Sequence, residues 1–152
     1  MIKYLFAMQR EADLFDLPNK YVIGIGATKM PEIDKDDIIV NIGFCGGYLY
    51  QIGDVVSPTV MLNEDKFSKC NADEFADECI CVTCDSFVEK PINDIKAIYD
   101  MELIHLSKIK CAKLYSFKIV SDNLSEYDCE NFIADESVKT VISILKAKGL
   151  IK

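Results

Sequence analysis

Ile38–Pro58 reads IIVNIGFCGGYLYQIGDVVSP, and the order of residue types in it decides the fold class. With Asp37 in front, the run Asp37–Ile42 (DIIVNI) is apolar and β-branched, as buried strands of a parallel sheet are. Gly43, Gly46 and Gly47 follow at once. Three glycines in five residues form either a plain turn or a place where the backbone approaches a ligand with its N–H groups unobstructed. Asp54–Val60 (DVVSPTV) then resumes an extended pattern, with Pro58 putting it at a sheet edge or strand end.

Further strands flank this stretch on both sides. Ile2–Ala7 (IKYLFA), Tyr21–Ile25 (YVIGI), Cys79–Thr83 (CICVT) and Leu114–Val120 (LYSFKIV) all read as strands. Between them, Gln9–Leu17 predicts a helix of one or two turns closed by Pro18, and Asn63–Glu78 a loop with a short helix. Asn93–Lys108 predicts a long helix carrying Ile95, Ile98, Met101, Leu103 and Leu106. Asp135–Lys148 predicts another, with Val138, Val141, Ile142 and Leu145 at i, i+3, i+4 and i+7 and Gly149 as its stop. Alternating strands and helices without repeat or linker predict one α/β domain over residues 1–152: a three-layer, mixed and mostly parallel sheet flanked by helices.

The 152 residues are half hydrophobic and 28% charged, as ordinary globular chains are. A formal charge of −8 repels phosphate backbones and anionic lipid, which argues against nucleic-acid or membrane partners. Arg10 is the only arginine, so no multi-arginine clamp on phosphate can be assembled. Seven cysteines are too sparse, and odd in number, for a disulfide scaffold. The start, MIKYLFAMQREAD, lacks the long apolar core of a signal peptide. The expectation is a reduced, soluble, cytoplasmic protein.

Several candidate chemistries fail on spacing. Gly24-Ile-Gly26 would need its third fingerprint glycine at Lys29, so a dinucleotide loop gives way to a tight strand exit. Cys79, Cys81 and Cys84 lie on both faces of one strand without a second pair, which favours core packing over a metal site. Cys45 as a nucleophile would want His105, which nothing in the sequence brings near it. Three of the 25 acidic residues stand out by context. Glu11 follows the end of the first strand, and Asp122 the end of LYSFKIV, where open α/β sheets bind ligands. Glu102 sits in an otherwise apolar stretch, where an unpaired charge is costly.

The order of these segments resembles the 5′-methylthioadenosine/S-adenosylhomocysteine nucleosidases of the purine nucleoside phosphorylase superfamily. FAMQRE resembles that family's first strand with its Met and acidic cluster, and IIVNIGFCGGYLYQIGDVVSP its glycine segment and G-D-V-V strand. CDSFV resembles its G-D-x-F segment, DMEL its E-M-E helix, and KIVSDN its R-x-I-S-D strand end. The resemblance implies hydrolysis of the N-glycosidic bond of a purine nucleoside, without cofactor or metal, by a homodimer. It implies Asp122 as the acid that protonates the purine, positioned by Ser121, and Glu11 as the residue holding the attacking water. Glu102 would bind the ribose hydroxyls, with Met101 and Met8 against the sugar, Phe87 stacked on the base and the Val88 backbone at its edge. The chain also departs from the pattern. It is shorter than family members, a trimmed version of that fold. The region between Pro58 and Cys79, which in the family helps build the pocket for the base and 5′ substituent, is short. Residues 27–36 hold Pro31 where the family continues into a helix, Phe44 replaces a small hydroxyl residue, Cys45 an alanine, and Lys118 an arginine. An alternative is therefore a weak or inactive nucleoside-binding relative, and a second an unrelated α/β interaction module whose acidic residues are surface charge.

Overall fold

The computed structural model describes residues 1–152. Its frame is β1 (Ile2–Phe6), β3 (Ile38–Tyr48) and β8 (Lys113–Asp122). β1 lies parallel along one side of β3 and β8 parallel along the other. β2 (Lys20–Val22) extends the sheet beyond β1, and β4 (Val55–Val56) pairs antiparallel with β8. A second group, β5 (Val60–Asn63), β6 (Ile80–Thr83) and β7 (Ala97–Asp100), is internally parallel and joins β3 through an antiparallel β3–β7 pair. The result is a mixed, mostly parallel eight-stranded sheet.

Strand periodicity explains the layers. Tyr4 and Phe6, Val40 and Ile42, and Phe117 and Ile119 face one side. There they meet Ala12 of α1 (Gln9–Ala12), Phe15, and Val141 and Leu145 of α5 (Asp135–Ala147). Leu5 and Ile39 face the other side and meet Ile23 and Leu106, the last residue of α3 (Leu103–Leu106). Phe67 of α2 (Glu64–Ser68) packs on the β5–β7 group with Ile80, Val82 and Tyr99, and α4 (Glu126–Glu130) follows β8. The predicted stripe of α5 is the one that packs, and Gly149, at φ 71°, ends that helix.

Three expectations need correction. The long helix over Asn93–Lys108 does not form: Ala97–Asp100 is a fully buried strand and only Leu103–Leu106 is helical. A continuous apolar run suits a strand buried on both faces as well as a helix, and here pairing with β3 and β6 prevails. Gln9–Leu17 is helical only to Ala12. The glycines at 43–47 form no turn. β3 runs through them to Tyr48, with a bulge at Cys45/Gly46 opposite β8. Although residues 27–36 lack a helix, Ala27, Met30 and Ile33 pack on the Leu5–Ile39 layer and cover that part of the sheet themselves.

Candidate active site

β1 and β7 approach the same edge of β3 from opposite ends. β1 pairs as far as Leu5–Asn41, and β7 begins at Tyr99–Gly46. Between them the edge of β3 has no strand partner, and a cavity of about 220 Å³ opens there. Glu11, carried in by α1, fills part of the gap. The Phe44 N–H donates to its Oε2 (2.7 Å) and the Met8 N–H to its Oε1 (3.0 Å). The carboxylate thus replaces a missing strand as hydrogen-bond acceptor.

Asp122 reaches the cavity from the end of β8. Its Oδ1 accepts from the Leu124 N–H (2.8 Å) and more weakly from the Ser125 N–H (3.3 Å), and its Oδ2 accepts from the Ser121 hydroxyl (2.9 Å). Gly46 makes room for it, since a Cβ there would lie 3.0 Å from Oδ1 and 2.9 Å from Leu124 Cδ2. Glu102 precedes α3 without capping it. Asp100 accepts from the Leu103 N–H (2.8 Å) and Thr83 from the Ile104 N–H (3.0 Å), leaving the Glu102 carboxylate to accept from the Gly26 N–H (2.9 Å). Gly24 and Gly26, at φ 80° and 77°, make the strand exit that delivers this donor.

All eight predicted site residues line this one cavity: Met8, Glu11, Phe87, Val88, Met101, Glu102, Ser121 and Asp122. His105 is exposed and takes no part. Cys45 also lines it, but burial pushes its thiol well above the ordinary value, which leaves it un-ionised. Cys81 and Cys84 pack into two different apolar clusters and do not converge.

Sequence reasoning named Lys118 only as a replacement for an arginine and missed its burial and its pairing with Asp100. Lys118 is buried and its ammonium lies 3.0 Å from Asp100. Burial opposes the ammonium, yet Asp100 and other acidic neighbours, Glu102 among them, hold its pKa above the usual lysine value. Burial opposes the Asp100 carboxylate as well, but Lys118, Thr83 and the Leu103 N–H bring its pKa below the ordinary carboxylate value. One ammonium cannot neutralise every carboxylate nearby. Burial therefore raises Glu11 and Glu102 despite the attraction of Lys118, and burial likewise raises Asp122 against its three hydrogen bonds. The missed signal was alternation in LYSFKIV, which puts Lys118 on the interior Val120 face, where a lysine demands a partner.

The architecture is that of the nucleoside phosphorylase class of α/β folds. Within that class the chain shares the fold of 5′-methylthioadenosine/S-adenosylhomocysteine nucleosidases. It superposes on MTAN from Chlamydia trachomatis bound to MTA with a TM-score of 0.68 and 14% identity, over 96% of this chain and 97% of that one. The nucleosidase from Neisseria meningitidis in complex with methylthio-immucillin-A gives 0.64 and 17%, over 96% and 98%. The Streptococcus pneumoniae MTA/SAH nucleosidase in complex with 8-aminoadenine gives 0.63 and 15%, over 95% and 96%. No protein-family model matches the chain, and no curated protein matches it in sequence.

Proposed function

We propose that this protein hydrolyses the N-glycosidic bond of a purine nucleoside of the methylthioadenosine or adenosylhomocysteine kind, releasing the free base. The observation that carries this reading is the convergence of three buried carboxylates, Glu11, Glu102 and Asp122, on one cavity that Met8, Phe87, Val88 and Met101 also line. The shared fold supports it, since solved structures with that fold hold MTA and 8-aminoadenine.

In this reading Asp122 is the general acid. Its Oδ1 is occupied by backbone donors, so the proton sits on Oδ2, where Ser121 can turn its hydroxyl to accept. Burial raises the pKa of this carboxyl and so favours its protonated form. The bond from the ribose anomeric carbon to the base breaks, its electron pair leaves with the purine, and the Asp122 proton neutralises the base. Water adds to the cationic sugar on the other side and loses a proton to Glu11. Glu102 receives the ribose hydroxyls, Met8 and Met101 pack on the sugar, and Phe87 stacks on the base with the Val88 backbone at its edge. The cavity, of about 220 Å³, is of a size for a base and ribose. Unpaired cysteines throughout suit a reducing compartment such as the cytoplasm. A second reading, a nucleoside binder with little catalysis, is favoured by Phe44, whose ring packs edge-on against Phe132 and lines the cavity.

The test is chromatography for free base from methylthioadenosine, adenosylhomocysteine, adenosine and inosine, with Asp122→Asn and Glu102→Gln in parallel. Turnover falls by about 10²-fold or more in Asp122→Asn, while a non-hydrolysable analogue still binds. Glu102→Gln weakens that analogue. Full turnover in Asp122→Asn removes Asp122 as the acid, and analogue binding without base release leaves the second reading.

A further inference from the structure

The cavity wall is acidic and carries one basic side chain, Arg10. Lys118, the nearby buried cation, is spent on Asp100. Arg10 takes part in none of the chain's salt bridges, although the sequence offers 25 acidic residues. A solvated arginine with no fixed position would be the ordinary outcome on an acidic surface. Here the guanidinium, though exposed to solvent, is laid against the wall. It sits 5.7 Å from the centroid of the Phe44 ring, and Nη2 donates to Cys129 Sγ at 3.6 Å. Phe44 is in turn buttressed edge-on by Phe132 at 5.4 Å. An aromatic shelf and a soft sulfur acceptor orient the planar group without neutralising it, and most of its N–H donors stay free.

A planar, permanently charged fork with free donors matches a carboxylate or phosphate. We propose that Arg10 makes the rim of this cavity an oxyanion recognition point, so that the site prefers nucleosides bearing a carboxylate or phosphate group over their uncharged counterparts. This rests on the nucleoside reading above. Glu11 and Glu102, buried in the cavity wall, disfavour an anion in its depth, which keeps the acidic group at the rim. Phe44, out of place for a small hydroxyl residue, then has a use as the surface on which Arg10 lies.

Calorimetric titration with the 5′-carboxylic acid of adenosine, its uncharged 5′-carboxamide, adenosine 5′-monophosphate and inorganic phosphate alone tests this. The acid binds about tenfold tighter than the carboxamide at low ionic strength, added salt erodes the difference, and Arg10→Gln brings the ratio toward one while Arg10→Lys keeps part of it. Equal binding of acid and carboxamide, or a preference that persists in Arg10→Gln, overturns the proposal. If inorganic phosphate itself binds through Arg10 and base release yields sugar phosphate, the oxyanion site stands with free phosphate as its ligand, and phosphorolysis replaces hydrolysis. If no nucleoside binds, the nucleoside reading fails and this proposal with it.

Discussion

Glu11, Glu102 and Asp122 are held by hydrogen bonds that differ in what they permit. Glu11 accepts on both oxygens from backbone N–H groups, so an amide in its place would set one N–H against another. Asp122 keeps its backbone donors on one oxygen and a rotatable hydroxyl on the other, so asparagine can replace it with little strain. Lys118 underlies these groups. Because the Asp100–Lys118 pair is buried, removing one partner leaves an uncompensated charge. Lys118→Met is therefore expected to lower the stability read from urea unfolding by about 3–5 kcal/mol, and Lys118→Met combined with Asp100→Asn to recover part of it. An unchanged urea midpoint in the single variant would show that the ammonium is not needed to hold Asp100. The sign of the pH effect follows from the two directions of shift. Asp100, lowered, contributes stability that is lost as pH falls through its native value, whereas the raised Glu11, Glu102 and Asp122 contribute stability lost as pH rises through theirs.

At the scale of elements, β3 does the positioning. It is the longest strand, it is flanked by β1, β7 and β8, and its bulge sets Gly46 opposite Asp122. A methyl group at Gly46 would press on Leu124 and Asp122, and overpacking of this kind costs about 1–3 kcal/mol. Gly46→Ala is expected to lower the urea midpoint and to reduce turnover further than the lost stability explains, because Asp122 moves. Turnover equal to wild type would show that this approach is not required. This element also shows where the sequence was legible. DIIVNI was readable as a continuous β-branched apolar run and the α5 stripe by its helical period. Glu11 and Asp122, singled out because they follow strand ends, do line one cavity. Ala97–Asp100 was not readable: Ile95, Ile98, Met101, Leu103 and Leu106 fall near helical spacing only because a buried strand, a turn and a single helical turn follow one another closely. With β7 hidden, the pairing of Asp100 with Lys118 was hidden too, since that contact depends on which strands become neighbours. The end-to-end meeting of β1 and β7 beside β3 is likewise a tertiary fact without local sequence signal.

For the molecule as a whole, assembly is what the cavity and the surface jointly bear on. No helix is long and apolar enough to cross a membrane, and several large apolar side chains stand exposed. Ile133 is 81% exposed, Tyr127 74% and Leu49 62%, and Leu49 also holds a left-handed φ of 67°, an unusual conformation for a bulky residue without a packing reason. Ile133 and Ile52 share a groove with Phe132, whose ring meets Phe44 on the cavity wall, so a protomer seated there would lie beside the site. We expect a homodimer formed through this face. The groove also holds Asp128 and Glu136, and each protomer carries a formal charge of −8, so Coulomb repulsion opposes pairing and screening by salt should strengthen association. Light scattering at micromolar concentration is expected to give twice the protomer mass, more completely at higher ionic strength, and Ile133→Asp to shift the population to monomer. A clean monomer at all salt concentrations would contradict the dimer, and a dimer indifferent to Ile133→Asp would move the interface elsewhere on the surface.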